Sequence, residues 1–239
     1  MSHAHRRPRF DFLGHSTVTS TLADGRCLLI DPWVMGNPAC PHSESPFDRL
    51  DGLLVTHGHP DHLADGVELA KRHEPAAVVA NWEICQWLEG QGVSGCAPMN
   101  TGGTISVLDL EVTMVRADHS SSILDGDRLI NGGSAGGFMV RDSGGFCFYH
   151  AGDTALFSDM ALLGEMYRPE LALLPIGDCF TMGPEAAARA CALLGVATVI
   201  PIHWGTFPLL TGTPEAFERA VAEHAPDCRV VTLQPGESY

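Results

Sequence analysis

The segment His57-Gly58-His59-Pro60-Asp61-His62 packs three imidazoles and a carboxylate into six residues, directly after the apolar run Leu53–Val55. A strand that delivers this pattern into a turn reads as a loop built to hold metal. Imidazole nitrogen and carboxylate oxygen together suit zinc, iron or manganese, whereas calcium takes oxygen ligands almost alone. His57 and His59 are two apart, so in an extended segment they point the same way and can grip one ion. Asp61 and His62 are adjacent and diverge, so they fit a second ion beside the first. Pro60 fixes one backbone dihedral in the middle of the turn.

These residues are too few for two ions, so further ligands are expected at other strand ends. Three fit. His119 follows the predicted strand Glu111–Val115, Asp153 follows Phe146–Tyr149, and His203 follows Thr198–Ile202. Strand ends in layered α/β folds are where sites collect, because a rigid sheet aims the loops.

The rest of the chain reads as strands and helices in alternation. The N-terminal third gives Arg9–Leu13, Thr17–Leu22 and Arg26–Ile30, the last two joined at Asp24-Gly25, and then Leu53–Thr56. Residues 32–46 are crowded with Pro and Gly and read as a surface loop. Gly66–Arg72 and Asn81–Glu89 are predicted helices flanking a strand at Ala77–Ala80, with Asn81 as a cap. Trp82 and Trp87 on the second helix read as packing residues. Thr104–Val107 pairs with Glu111–Val115, and Gly137–Val140 with Phe146–Tyr149. Residues 120–137, with five glycines, read as one long loop. The last third gives a strand at Leu171–Leu174, a helix at Pro184–Leu194 stopped by Gly195, a strand at Thr198–Ile202, a helix opening at Thr213-Pro214-Glu215, and a closing strand at Val230–Leu233. No break in composition divides the chain, so one domain over residues 1–239 is expected, with helices on the outer faces of its sheets.

Charge narrows the partners. Lys and Arg number 14 against 29 Asp and Glu, a formal charge of −15. Such a surface repels nucleic acid and anionic lipid, so a small-molecule substrate is expected, with neither nucleic acid nor membrane as partner. No apolar run reaches transmembrane length and no signal-peptide core is visible, which points to the cytoplasm. The eight cysteines form no C-x-x-C pair; Cys27, Cys147 and Cys191 lie in apolar runs and read as buried free thiols. Trp33, Val34 and Met35 offer an apolar contact surface for a homo-oligomer.

With these residues in view, the chain resembles the metallo-β-lactamase superfamily. The resemblance includes the residue 57–62 motif, His119, Gly152-Asp153-Thr154 and His203, in that family's order. It extends to Phe12-Leu13-Gly14-His15-Ser16, Leu29-Ile30-Asp31-Pro32 and Leu174-Pro175-Ile176-Gly177-Asp178, and spans essentially the whole chain. These segments look most like the broad metal-dependent hydrolase branch. Ascorbate-6-phosphate lactonase and N-acyl-phosphatidylethanolamine phospholipase D are more distant branches with a similar opening.

The resemblance implies an α/β fold: a four-layer αββα sandwich of two mixed β-sheets flanked by helices, with the site at one edge. It implies two divalent metal ions, Zn²⁺ first and Mn²⁺ or Fe²⁺ as alternatives. His57, His59 and His119 would hold one, Asp61, His62 and His203 the other, and Asp153 would bridge both. Two ions about 3.5–4 Å apart can clamp the attacking and leaving oxygens of a displacement, and can lower the pKa of a bound water to about 7. Asp61 would orient that hydroxide. His15 and His150 could each hydrogen-bond a ligand carboxylate, protonate the leaving group, or make simple structural hydrogen bonds.

The expected activity is hydrolysis of a small ester, lactone, amide or phosphodiester. This arrangement needs no serine or cysteine nucleophile. Two other readings stay open at this stage. One is a nuclease or RNA-processing member of the same superfamily, which the net charge opposes. The other is an iron-containing redox or metal-binding protein.

Overall fold

The computed structural model describes residues 7–42 and 44–239. The first half of the chain builds one sheet. Strands β1 (Arg9–Phe12), β2 (Val18–Thr21) and β3 (Cys27–Ile30) form an antiparallel meander. Asp24-Gly25 turns β2 into β3, with Gly25 at φ +89°. Strand β4 (Gly52–Leu54) then pairs parallel to β3. The short helix α1 (Pro60–Leu63) and α2 (Gly66–His73) lead to β5 (Ala77–Asn81), α3 (Trp82–Gly90) and the edge strand β6 (Cys96–Met99), and both strands are parallel. Asn81 caps α3: its side chain accepts from Ile84 N (2.9 Å), satisfying one orphan donor of the first turn.

The second half opens with β7 (Thr104–Val107) and β8 (Leu110–Arg116), a hairpin. Strands β9 (Ser122–Asp125) and β10 (Arg128–Asn131) pair as a separate two-stranded ribbon. This corrects the expected loop over residues 120–137: Asp125-Gly126-Asp127 is a hairpin turn, with Gly126 at φ +61°. Then come β11 (Gly136–Arg141), β12 (Cys147–His150), α4 (Met160–Tyr167), β13 (Leu171–Pro175), α5 (Pro184–Leu194), β14 (Thr198–Ile202), α6 (Pro214–His224) and β15 (Arg229–Val230). The large sheet runs β15-β14-β13-β12-β11-β8-β7, parallel from β15 to β12 and antiparallel beyond. The closing strand is shorter than expected; instead Phe10 and Tyr239 exchange backbone hydrogen bonds, so the C-terminus pairs with β1.

Three apolar clusters stack these elements into four layers. The central one joins the two sheets face to face, with Phe10, Leu28, Ile30 and Val79 from one and Met114, Phe138, Phe148 and Ile200 from the other. Phe10 meets Phe148 edge-on at 5.0 Å, a geometry worth about 0.5–1.5 kcal/mol beyond the buried area. Alternation decides which side chain goes where. On β13, Leu171 and Leu173 face the other sheet, whereas Ala172 and Leu174 face the helices. Outside the first sheet, α2 and α3 bury Leu69, Ile84 and Leu88 against Leu29, Leu53 and Val78. Outside the second, Met160, Ala187 and Phe217 from α4, α5 and α6 do the same.

Two expectations about apolar residues change. Trp33 and Val34 are buried, so they belong to the core rather than to a contact surface. Trp82 is 55 % exposed and does not pack, while Trp87 is half-buried and its Nε1 donates to Asp125. Cys147 and Cys191 are buried free thiols, and Cys27 is half-buried.

Candidate metal centre

The carboxyl ends of β3, β4, β8, β12 and β14 meet at one edge of the sandwich. They deliver Asp31, the residue 57–62 turn, His119, Asp153 and His203 respectively. The side chains predicted from sequence converge. His57, His59 and His119 form one group whose donor atoms lie within 4.8 Å of one another. Asp61, His62 and His203 form a second, and His15 joins it. Asp153 sits between: its Oδ2 lies 3.0 Å from His203 Nε2, 3.3 Å from His62 Nε2, 3.7 Å from His119 Nε2 and 3.9 Å from His57 Nε2. His57, His62, Asp153 and His203 are buried; His59, Asp61 and His119 are half-buried.

Hydrogen bonds behind the cluster fix which imidazole nitrogen faces inward. Thr56 Oγ1 donates to Asp31 Oδ2 (2.9 Å), so it accepts from His57 Nδ1 (3.0 Å) and turns the Nε2 lone pair into the cluster, 3.1 Å from His59 Nδ1. His62 Nδ1 donates to the same Asp31 oxygen (2.8 Å), which again turns Nε2 inward, 3.3 Å from Asp153 Oδ2. Asp31 is itself buried, with Oδ1 accepting from Thr56 N (2.8 Å). Asp31, which the sequence presents only as part of the Leu29–Pro32 segment, gains its role from this contact with His62. A buried carboxylate that orients imidazoles in this way is a recurring support for metal sites.

His15 and His150 behave differently from each other. His15 is fully buried, at φ +57°; Nε2 lies 3.2 Å from Asp61 Oδ2 and Nδ1 lies 3.0 Å from Thr206 Oγ1. It therefore touches the site through Asp61. His150 does not: Nδ1 accepts from Gly152 N (3.2 Å) and Nε2 donates to Ser16 O (3.1 Å). Both nitrogens are spent on backbone and the ring is fully buried, so the expected leaving-group role for His150 has no geometric basis. Gly152 closes this turn at φ +60°, and a methyl group there would stand 2.8 Å from Thr56 Cβ and 2.9 Å from Gly136 O. Only glycine fits beside Asp153.

The electrostatics favour cations. Burial opposes a charged imidazole at His62, but the Asp153 and Asp31 carboxylates outweigh it and hold its pKa well above the ordinary value. Burial likewise opposes ionisation of Asp153, and His203 and His62 overcome it. His57 is pushed well below the ordinary value by burial and by charge at His62. Burial brings His15 down to about 4, against the hydrogen bond it donates to Asp61. Asp61 stays ionised: burial works against this, and the His15 hydrogen bond and nearby imidazoles prevail. His57, His59 and His119 are thus held neutral beside ionised Asp61 and Asp153, the protonation state that metal binding requires, whereas a bound ion would have to displace a proton from His62. Three buried atoms, His62 Nε2, His203 Nδ1 and Asp153 Oδ1, have no hydrogen-bond partner among the described residues. Buried polar atoms are seldom left so. Divalent ions fit the donor set and the deficit at His62 Nε2 and Asp153 Oδ1, whereas His203 Nδ1 faces Gly177, away from the cluster.

Comparison with known proteins agrees. A family model described as the β-lactamase superfamily domain matches residues 26–204. A metal-dependent hydrolase of the UPF0173 family from Koribacter versatilis is 47% identical over 231 residues, covering 97% of each chain. One from Methanopyrus kandleri is 48% identical, covering 97% of this chain and 99% of its own. Among solved structures, the metallo hydrolase Igni18 from Ignicoccus hospitalis superposes with a TM-score of 0.86 at 32% identity, covering 97% of both chains. YhfI from Bacillus subtilis, a metallo-β-lactamase fold protein, shares the fold at a TM-score of 0.72 and 12% identity, covering 98% of this chain and 99% of its own. Sequence motif, four-layer architecture and these relatives lead to one conclusion: the chain belongs to the metallo-β-lactamase superfamily, in the UPF0173 family of metal-dependent hydrolases.

Proposed function

We propose that this hydrolase uses a dinuclear metal site on a small cytoplasmic substrate with an ester, lactone, amide or phosphodiester bond. The observation that carries the reading is the gathering of four imidazole nitrogens within 3.9 Å of Asp153 Oδ2, with Asp153 Oδ1 left unpartnered. His57, His59 and His119 would hold one ion, Asp61, His62 and His203 the other, and Asp153 would be shared. The histidine-rich donor set supports Zn²⁺, with Mn²⁺ or Fe²⁺ able to use the same ligands. When bound, such ions supply Lewis acidity and bring the pKa of a coordinated water down to about 7.

The chain's own residues do the positioning. Asp61 Oδ2 is held by His15 Nε2, which leaves the other carboxylate oxygen to accept a hydrogen bond from the attacking water. His15 is held in turn by Thr206, so Asp61 cannot swing out of line. Ser120 Oγ lies 3.3 Å from His59 Nε2 and borders the cavity, where it can hydrogen-bond the substrate or its leaving group.

Elemental analysis of purified protein tests the reading. About two divalent ions per chain are expected, with hydrolysis lost on chelation and restored by Zn²⁺. Full metal content and full hydrolysis in both Asp61→Ala and His203→Ala variants would overturn it.

A further inference from the structure

The cavity that reaches the cluster has a volume of about 610 Å³. Besides the cluster residues and Ser120, it is lined by Phe180, Phe207, Pro208 and Leu209. Among the described residues that line it, none is Lys or Arg. An anionic substrate such as a phosphodiester normally meets Arg or Lys donors away from the reacting atoms. Here it would meet apolar side chains in a chain of formal charge −15.

The apolar wall is exposed and yet fixed. Phe180 is 50 % and Leu209 60 % exposed, among the largest unpartnered apolar surfaces of the chain. Exposed apolar patches at the mouth of a cleft mark ligand contact. Phe207 is backed by Trp33, the two rings stacked at 5.8 Å. The two wall segments are tied together and to the cluster. Gly212 N donates to Gly177 O (3.1 Å), Thr211 Oγ1 to Asp178 Oδ2 (3.4 Å), and Met182 N to Thr154 O (3.0 Å), next to Asp153. A methyl group at Gly212 would overlap the carbonyl oxygen of Ile176, so the two segments pass too closely for any residue but glycine. Such a preformed backbone frame lowers the ordering cost of burying an apolar group against the wall.

We propose that the substrate is an uncharged carboxylic ester or lactone whose apolar chain packs on Phe180, Phe207 and Leu209. The proposal rests on the hydrolase reading above and narrows it. Water oxygen forms the new bond to the acyl carbon and the bond from that carbon to the alcohol oxygen breaks. One water proton ends on the alcohol, and the other is released as the acid ionises.

Two measurements test it. First, p-nitrophenyl acetate, butyrate and hexanoate are compared with Zn²⁺-loaded protein. A rise in kcat/KM of about two- to fourfold per methylene is expected, and Leu209→Asp should flatten it. Second, calorimetric titration of the metal-free protein compares 2-octanone, a neutral ester-like probe, with dibutyl phosphate, an anion of similar size. Octanone should bind at least tenfold tighter, with that preference lost in Leu209→Asp and kept in Met166→Ser, an exposed site on α4. Dibutyl phosphate binding as tightly as octanone, or rates flat in chain length, would overturn the proposal. Octanone binding with no ester turned over would instead overturn the hydrolase reading.

Discussion

Asp31 and His62 are joined by a 2.8 Å hydrogen bond from Nδ1 to Oδ2, and the same carboxylate oxygen reaches His57 through Thr56 Oγ1. One buried side chain thus sets the inward nitrogen of two imidazoles assigned to different ions. Asp31→Ala should weaken metal binding about 10- to 100-fold, and chelator competition should register the loss at both sites. A loss confined to one ion would contradict the shared role.

Metal should stabilise the fold through Asp153. With free Zn²⁺ at about 100 times Kd, binding adds about 2.7 kcal/mol to unfolding, so the melting temperature should rise on loading. In Asp153→Asn the rise should largely vanish, because the carboxylate at the centre of four imidazoles is gone. Differential scanning calorimetry with and without Zn²⁺ measures it.

The two buried histidines outside the ligand set should separate cleanly. His15→Ala removes the partner of Asp61 Oδ2, so kcat for ester hydrolysis should fall about 10- to 100-fold with KM little changed. His150→Ala breaks contacts to Ser16 and Gly152 instead. Its cost should be about 1–3 kcal/mol of stability, with kcat per folded molecule retained. Steady-state kinetics beside urea denaturation distinguishes them.

Gly152 allows no side chain. Its φ of +60° and the nearness of Thr56 and Gly136 make Gly152→Ala strained and crowded. About 2 kcal/mol or more of destabilisation is expected, together with reduced metal content, since Asp153 follows directly. A variant with wild-type stability and metal load would contradict this account.

Acid should undo the seam between the chain ends. Asp11 on β1 accepts hydrogen bonds from Ser238 Oγ (2.5 Å) and Thr19 Oγ1 (2.9 Å) and pairs with Arg9. Burial raises its pKa, but these bonds prevail and hold it below the ordinary 3.8. A carboxyl depressed on folding stabilises above its unfolded pKa, and the contribution is lost as pH falls through the folded value. Asp11→Asn should therefore cost about 1.5 kcal/mol at pH 7, and the gap to wild type should close as pH falls below about 3.8. Urea titrations across that range test it.

Much of this site was legible because its candidate ligands sit where local rules are strong. Pro184 at the start and Gly195 at the stop bound α5 as expected, and strand ends placed His119, Asp153 and His203. What escaped depends on contacts distant in sequence. Nothing in Ile30-Asp31-Pro32 announces a partner 31 residues away at His62. The β9–β10 ribbon was hidden because glycine and serine around it outweighed the Asp125-Gly126 turn signal. Strand β6 carries Pro98, which an edge tolerates and a sequence pattern does not reveal. Helix α4 has Gly164 in its middle and exposes Leu162 and Met166, so it lacks a polar face to mark its period. Trp33 and Val34 look like surface residues in a Pro- and Gly-rich stretch, yet tertiary packing buries them.

Phe180, Pro208 and Leu209 border the cavity but contribute nothing to the imidazole–carboxylate cluster. Selectivity and reactivity are therefore written on separate codons. A randomised library at these three positions would explore new substrates while the chemistry beneath stays intact, which makes this scaffold a practical starting point for directed evolution.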